Sequence, residues 1–482
     1  MIARWRLTRI WSAGIMVLAL VGSTATSATR QTAPHDPVVA RGQGTIPRET
    51  ISTALAMDQG TGITFVVSGP FSSQTGGATG RGTLTVLDTR QGALRRLRSV
   101  KVGVGPSTVV VDERAGRVLV LNTGGGDQYA GFVGGSVSVF DLRALEGRAP
   151  EATIVVHTTP LGRQLPRALD LDRTTGHAFV PTWVLPASGV ITQSVAGAVR
   201  MLDTRTGLLL HTTPLSVAAE ALAVDATTRH AFVLPGLPGA GARMSMLDTR
   251  TGALLRQIRL GMVGRALAVD ACTGRLFIAT VNPTRPTRSQ VQVRTTRDSS
   301  VVTTAPVTGG VSAFAVDARR GRVFVQSAAG FANPATARGA VDMLDARDGM
   351  PLGTARVGLS TPFTQLLIGG VPQTLAVDEA SGHVLVATVA TAATSGARGA
   401  QAPQGVVSVL EPRGRGLRVL RARAVRGLPV ALVVDAGTGR AVVATMETAR
   451  PGSSTATVTA RVSLLDERTG ALVGTMPLEN SL

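Results

Sequence analysis

The sequence predicts an all-β fold, a single β-propeller of four-stranded blades, on three observations. First, a short apolar run ending in Asp recurs at Asp58, Asp112, Asp172, Asp225, Asp270, Asp317, Asp378 and Asp435, an average step of about 54 residues. Second, a companion set of runs lies between those aspartates, including TLTVLDTRQG from Thr83, SVSVFDLRALEG from Ser136, AVRMLDTRTG from Ala198, AVDMLDARDG from Ala340 and RVSLLDERTG from Arg461. Third, each Asp is followed by a short polar turn, with Gly four residues on in seven of the first set. Two hairpins per unit at a fixed period of roughly 40 to 55 residues mark a propeller blade.

The clearest unit runs from Ser245 to Thr280, SMLDTRTGALLRQIRLGMVGRALAVDACTGRLFIAT. Its apolar runs flank Asp-Thr-Arg-Thr-Gly and Asp-Ala-Cys-Thr-Gly. In such a turn the carboxylate accepts backbone N–H bonds and Gly supplies the positive φ. Counting degenerate copies near Val291 and Val406, the chain offers eight units, hence eight blades and about 32 strands. The series opens on an innermost-strand motif at Leu55 and closes on an outermost one from Ala471 to Met476. Each blade can therefore be built from contiguous chain, with closure resting on apolar packing between the first and last.

These repeats resemble the YVTN-repeat family of β-propellers. Local matches run from Pro106 to Asn122, from Ser136 to Asp141 and from Arg461 to Val473, with the Val102-Gly-Val-Gly-Pro106 link. The resemblance covers about Ile51 to the C-terminus. It implies an exported propeller, most often of seven blades, which is the alternative to the eight counted here. The family's Tyr-Val-Ala-Asn is mostly replaced, as in Phe277-Ile-Ala-Thr.

Upstream, a basic start with Arg4, Arg6 and Arg9 precedes an apolar run from Ile10 to Gly22 and small residues through Ala28. This is a signal-peptide pattern, so residues 1–28 are expected to be cleaved and 29–50 to form a linker before a propeller at 51–482. The destination would be periplasmic, cell-surface or extracellular, and retention as an N-terminal anchor gives the same compartment. Cys272 is the single cysteine, so no intrachain disulfide can form. The net charge is +19 and Lys101 is the sole lysine, so the basicity is arginine. Such a field favours anionic partners such as nucleic acid, acidic glycans or membrane surfaces. Its placement in repeated turns (Arg90, Arg205, Arg250, Arg468) equally fits a compositional bias.

In an up-and-down blade the tight turns share one face, while the long loops and blade links converge on the other, around the channel mouth. The residue five before each repeat Asp should stand at that mouth: Thr53, Ser107, Arg167, Glu220, Arg265, Ser312, Gln373 and Val430. Asp170 breaks a strand where other copies carry Ala or Val, and a packed carboxylate demands a partner, for which Arg167 or an arginine of a neighbouring blade is expected. Tyr129 and Trp183 fall in loops of the same face. The candidate ligand-binding set is therefore Ser107, Tyr129, Arg167, Asp170, Trp183, Glu220, Arg265, Ser312 and Gln373. No catalytic residue, metal ligand or cofactor is expected: His177, His230 and His383 occupy turn positions on the opposite face, and no His-x-x-x-His, Cys-x-x-Cys or Gly-x-Ser-x-Gly occurs. The expected function is a monomeric, non-enzymatic binding or scaffold protein, using its long-loop face and channel mouth for a macromolecule or anionic ligand. The alternative is a propeller lactonase or hydrolase with a site at that mouth.

Overall fold

A computed structural model describes residues 49–72, 77–90, 93–125, 133–147, 149–150, 153–185, 195–236, 243–282, 285–307, 309–329, 338–359, 374–390, 404–449 and 457–478. The expectations for residues 1–48 fall outside these. The described chain forms eight antiparallel sheets with almost no helix, an eight-bladed propeller. In the first blade β1 (Glu49–Asp58), β2 (Ile63–Ser72), β4 (Arg81–Asp88) and β5 (Arg95–Val104) pair in that order, with the short β3 (Gly77–Ala78) beside β2. The second holds β6 (Pro106–Asp112), β7 (Arg117–Asn122), β8 (Ser136–Asp141) and β9 (Val155–Pro160), with a short helix α1 (Leu142–Glu146) in the outer turn. In the third the inner strand is split into β10 (Gln164–Pro166) and β11 (Asp170–Asp172), followed by β12 (His177–Val184), β13 (Gly197–Asp203) and β14 (Leu209–Leu215).

Blades four to eight repeat the plan. They hold β15 (Ala219–Asp225) to β18 (Leu254–Arg259), β19 (Val263–Asp270) to β22 (Val301–Val307), β23 (Gly310–Asp317) to β26 (Pro351–Val357), β27 (Leu375–Val377) to β30 (Gly416–Arg426), and β31 (Leu428–Asp435) to β34 (Leu472–Leu478). The count of eight units is thus the blade number, and the alternative of seven is excluded. Every blade is contiguous, so among the described residues no strand is exchanged between the ends.

The turn chemistry follows the sequence pattern. Asp58, Asp172, Asp270 and Asp435 accept N–H bonds from Gly60, Thr174, Cys272 and Gly437 at 2.9 to 3.0 Å. The eight aspartates are nearly or fully buried, at 0 to 4% exposed. Where the fourth blade lacks the turn glycine, Arg229 itself takes φ +60°, and Ser299 does so in the outer turn of the fifth.

The core lies between blades. Phe65, Phe179, Phe232, Phe277 and Phe324 occupy one position of the second strand in five blades and are fully buried. Between the last and first blades, Val430, Val442, Val462 and Leu464 pack with Leu55, Met57, Val66 and Leu87, which supplies the expected apolar closure. On the tight-turn face a second set of links joins neighbouring blades at five of the eight junctions. The residue after the inner turn reaches a carbonyl of the following blade's outer turn: Arg117 to Arg205, His177 to Thr249, His230 to Thr296, Arg275 to Arg347 and, at the seam, Arg440 to Thr89 and Arg90. His177 and His230 therefore serve as inter-blade links.

Candidate functional site at the channel mouth

The residue five before the repeat Asp is a β-bulge. In six blades the pairing of the first two strands skips one residue, and the skipped residues are Thr53, Ser107, Glu220, Arg265, Ser312 and Val430. A bulge leaves its residue out of the ladder and bends the strand. In the third blade the irregularity grows into a break: residues 167–169 leave the ladder between β10 and β11, and the Arg167 N–H bonds the Pro181 carbonyl. Gln373 of the seventh blade and Tyr129 lie outside the described residues.

The skipped residues differ in what they do. Ser107 and Ser312 turn their hydroxyls back to the carbonyls of Leu121 and Gln326, and Val430 is fully buried. Arg167 and Glu220, 53 residues apart, form a forked ion pair: Nε donates to Oε2 at 2.9 Å and Nη2 to Oε1 at 2.6 Å. Their side chains are 15% and 29% exposed, dry enough for the fork to orient both. The Arg167 guanidinium also stacks 5.1 Å from the centre of the Trp183 ring. Trp183 stands at the end of strand β12 rather than in a loop, as the sequence had placed it, and its buried indole N–H has no acceptor among the described residues. Gly236 makes this cluster possible, because a Cβ there would come within 2.8 Å of the Trp183 ring and 2.9 Å of Glu220 Oε2. Arg265 is exposed and has no ion pair among the described residues.

Asp170 departs from the sequence expectation. Its partner is not an arginine: Oδ1 accepts the Leu171 N–H at 2.8 Å, and Oδ2 accepts the Val224 N–H of the neighbouring inner strand at 2.9 Å. Arg167 is instead committed to Glu220. Burial pushes the Asp170 carboxyl up to about 6 against the lowering effect of those two bonds. The residue ties blade three to blade four directly after the break between β10 and β11.

Below the rim the channel is apolar. A cavity of about 320 Å³ is walled by Leu169, Leu222, Leu267, Phe314 and Leu375, with Ala221, Ala266 and Ala313 between them, and Arg167 is the one charged residue that borders it. Among the described residues no group of three or more His, Cys, Asp or Glu could hold a metal ion, and no helix is long and apolar enough to cross a membrane.

No protein-family model and no curated protein matches the chain. Among solved structures, dihydro-heme d1 dehydrogenase NirN is similar over 93% of this chain and 82% of its own, with a TM-score of 0.54 at 11% identity. At that identity the likeness is one of fold. Kuenenia stuttgartiensis hydrazine synthase (85% and 96% covered, TM-score 0.44, 11% identity) and the Neurospora crassa Pan2 WD40 domain (70% and 86%, 0.42, 10%) lie further away.

Proposed function

We propose that this is an exported, non-enzymatic binding propeller of the YVTN-repeat kind, acting as a monomer through the mouth of its channel, for a ligand that carries an anionic group on an apolar body. The observation that carries this reading is the make-up of the site. Arg265, exposed and without an ion pair among the described residues, is the bulge residue of the blade after Glu220's, the Arg167–Glu220 pair is neutralised, and leucines and Phe314 wall the cavity that Arg167 borders. An apolar pocket with few convergent polar groups is the usual form of a small-molecule site. Export draws its support from the basic start and apolar run of residues 1–28.

The hydrolase reading has less to draw on. Glu220 is held in a fork by Arg167, and both Asp170 oxygens accept backbone N–H bonds, so neither carboxylate is presented to a substrate.

Calorimetric titration with a panel of aliphatic and aromatic carboxylates tests the proposal. One or more should bind with 1:1 stoichiometry, Arg265→Glu should weaken that binding about tenfold, and Ala266→Trp, which fills the channel, should abolish it. No saturable binding across the panel, or equal binding by the filled variant, would sink the reading.

A further inference from the structure

The arginine excess is not spread evenly over the turns. Six arginines, Arg413, Arg415, Arg418, Arg421, Arg423 and Arg426, fall within fourteen residues at the outer hairpin of blade seven, and all are exposed. By contrast, the outer strands β9, β14, β22 and β34 contain no arginine. Strand β5 is also basic, but its cations are engaged: Arg95 with Asp88, Arg96 with the Pro477 carbonyl, and Arg98 with those of Ala144 and Ala149. In the hairpin that ends in β30 the one acid, Glu411, takes Arg413 and Arg418 at 2.7 Å. The side chains of Arg415, Arg421, Arg423 and Arg426 have neither ion pair nor hydrogen bond among the described residues.

Three further features give these charges a geometry. At 11 residues β30 is the longest outer strand, and no strand of the described residues pairs with its outer side. Leu420 is skipped in its pairing with β29 (Gln404–Arg413), so Arg418, Arg421 and Arg423, opposite Glu411, Val409 and Val407, share one face of the sheet. Beside it, a groove of about 270 Å³ between blades seven and eight is lined by Arg426, Arg461, Gln404, Ser463 and Thr475, and the buried Nε of Arg461 has no acceptor among the described residues.

We propose that the edge from Arg421 to Arg426 docks an extended acidic segment of another protein, added as a fifth strand to blade seven. An unpaired edge offers main-chain bonds, and alternate side chains of an added strand face alternate residues of the edge. Carboxylates two residues apart would therefore stand opposite Arg421 and Arg423 at the same spacing, where the guanidinium fork fits them. The partner is not this chain itself, because alternating carboxylates occur in it only at Asp170 and Asp172, both within β11. A base-stacking strand is disfavoured, since neither β30 nor the groove carries an aromatic side chain.

The test is fluorescence anisotropy with the full-length protein and a labelled peptide of alternating Glu and Thr, at about 100 mM salt where long-range attraction is screened. The peptide should bind, and the Arg421→Ser/Arg423→Ser double variant should bind it at least about tenfold more weakly with an unchanged melting temperature. N-methylation of alternate peptide nitrogens, which removes main-chain donors without touching charge, should weaken it similarly. The Arg205→Ser/Arg250→Ser control, equal in net charge, should behave as wild type. Failure to bind, indifference to the double variant, or a control that weakens binding equally would overturn the proposal. Indifference to N-methylation, with equal competition by a sulfated glycan or duplex DNA, would do the same by reducing the edge to a general polyanion patch.

Discussion

Single substitutions within the repeat mark where this chain departs from its own consensus. Glu467 stands where Thr89, Thr204, Thr249 and Thr296 occupy other blades; of these, Thr249 donates to Asp172 of the preceding blade at 2.5 Å. A carboxyl at that place meets Asp378 instead, with Ser381 and Arg468 nearby and His383 Nδ1 at 3.5 Å. Burial, then the Asp378 carboxyl, pushes Glu467 up to about 7. Because the folded state holds this proton more tightly than the unfolded chain, the native state loses stability as pH rises from about 4.5 through 7. Glu467→Thr should therefore stabilise the protein at pH 8 by up to about 3 kcal/mol, and the gain should shrink towards pH 5; urea melts at the two pH values read this directly. Arg229 is a second departure. Relieving its φ of +60° by Arg229→Gly should raise the denaturation midpoint by the equivalent of about 0.5 to 1 kcal/mol.

Strand irregularities are repeated as faithfully as the strands. Every outer strand skips one residue against its neighbour, and the skipped residues are Leu97, Val156, Leu210, Leu255, Val302, Leu352, Leu420 and Val473, apolar in all eight blades. A bulge twists an outer strand and blunts its unpaired edge where it falls; on β30 it falls at Leu420, and Arg421 to Arg426 beyond it pair without a shift. Since a bulged residue lies outside the ladder, its deletion leaves the flanking pairs able to meet, whereas a deletion two positions on forces a slip that turns side chains to the wrong face. Deleting Leu255 should thus cost less in denaturant midpoint than deleting Gln257. Deeper in the blade, Phe277 is fully buried against Val323 and Val325 of the next blade, so Phe277→Ala should cost about 3 to 5 kcal/mol.

At the scale of the molecule the repeat spacing made the blade number, strand order and closure legible, because Asp and Gly mark both turns of each unit. The channel mouth was legible as positions and not as contacts. The mouth residues share a sequence offset, so Arg167 and Glu220 could be named. Their union could not be read, since it spans 53 residues and depends on Gly236 leaving room for Trp183. Asp170 misled because its second partner is the Val224 N–H of the next blade, and a backbone donor has no sequence signature. The arginine run of β30 was in plain view but was averaged into the turn arginines; its meaning came from the pairing offset that aligns three of them. The bulges themselves appear in sequence only as one residue too many on one side of a hairpin.

Among the described residues no strand crosses the seam. Gln59 donates to the Val434 carbonyl and accepts from the Ala436 N–H, Arg440 donates to the carbonyls of Thr89 and Arg90, and Arg96 to that of Pro477, so each of these hydrogen bonds involves a side chain and the remainder is apolar contact. Under a force applied between the two chain ends, such a ring should open at the seam and then shed whole blades in succession, because the bonds within each sheet far outnumber those between sheets. Optical-tweezer extension traces of the protein should accordingly show a sawtooth whose increments cluster near the contour of one unit, about 54 residues or roughly 18 nm of extended chain. A propeller latched by a shared blade would resist until several units failed together.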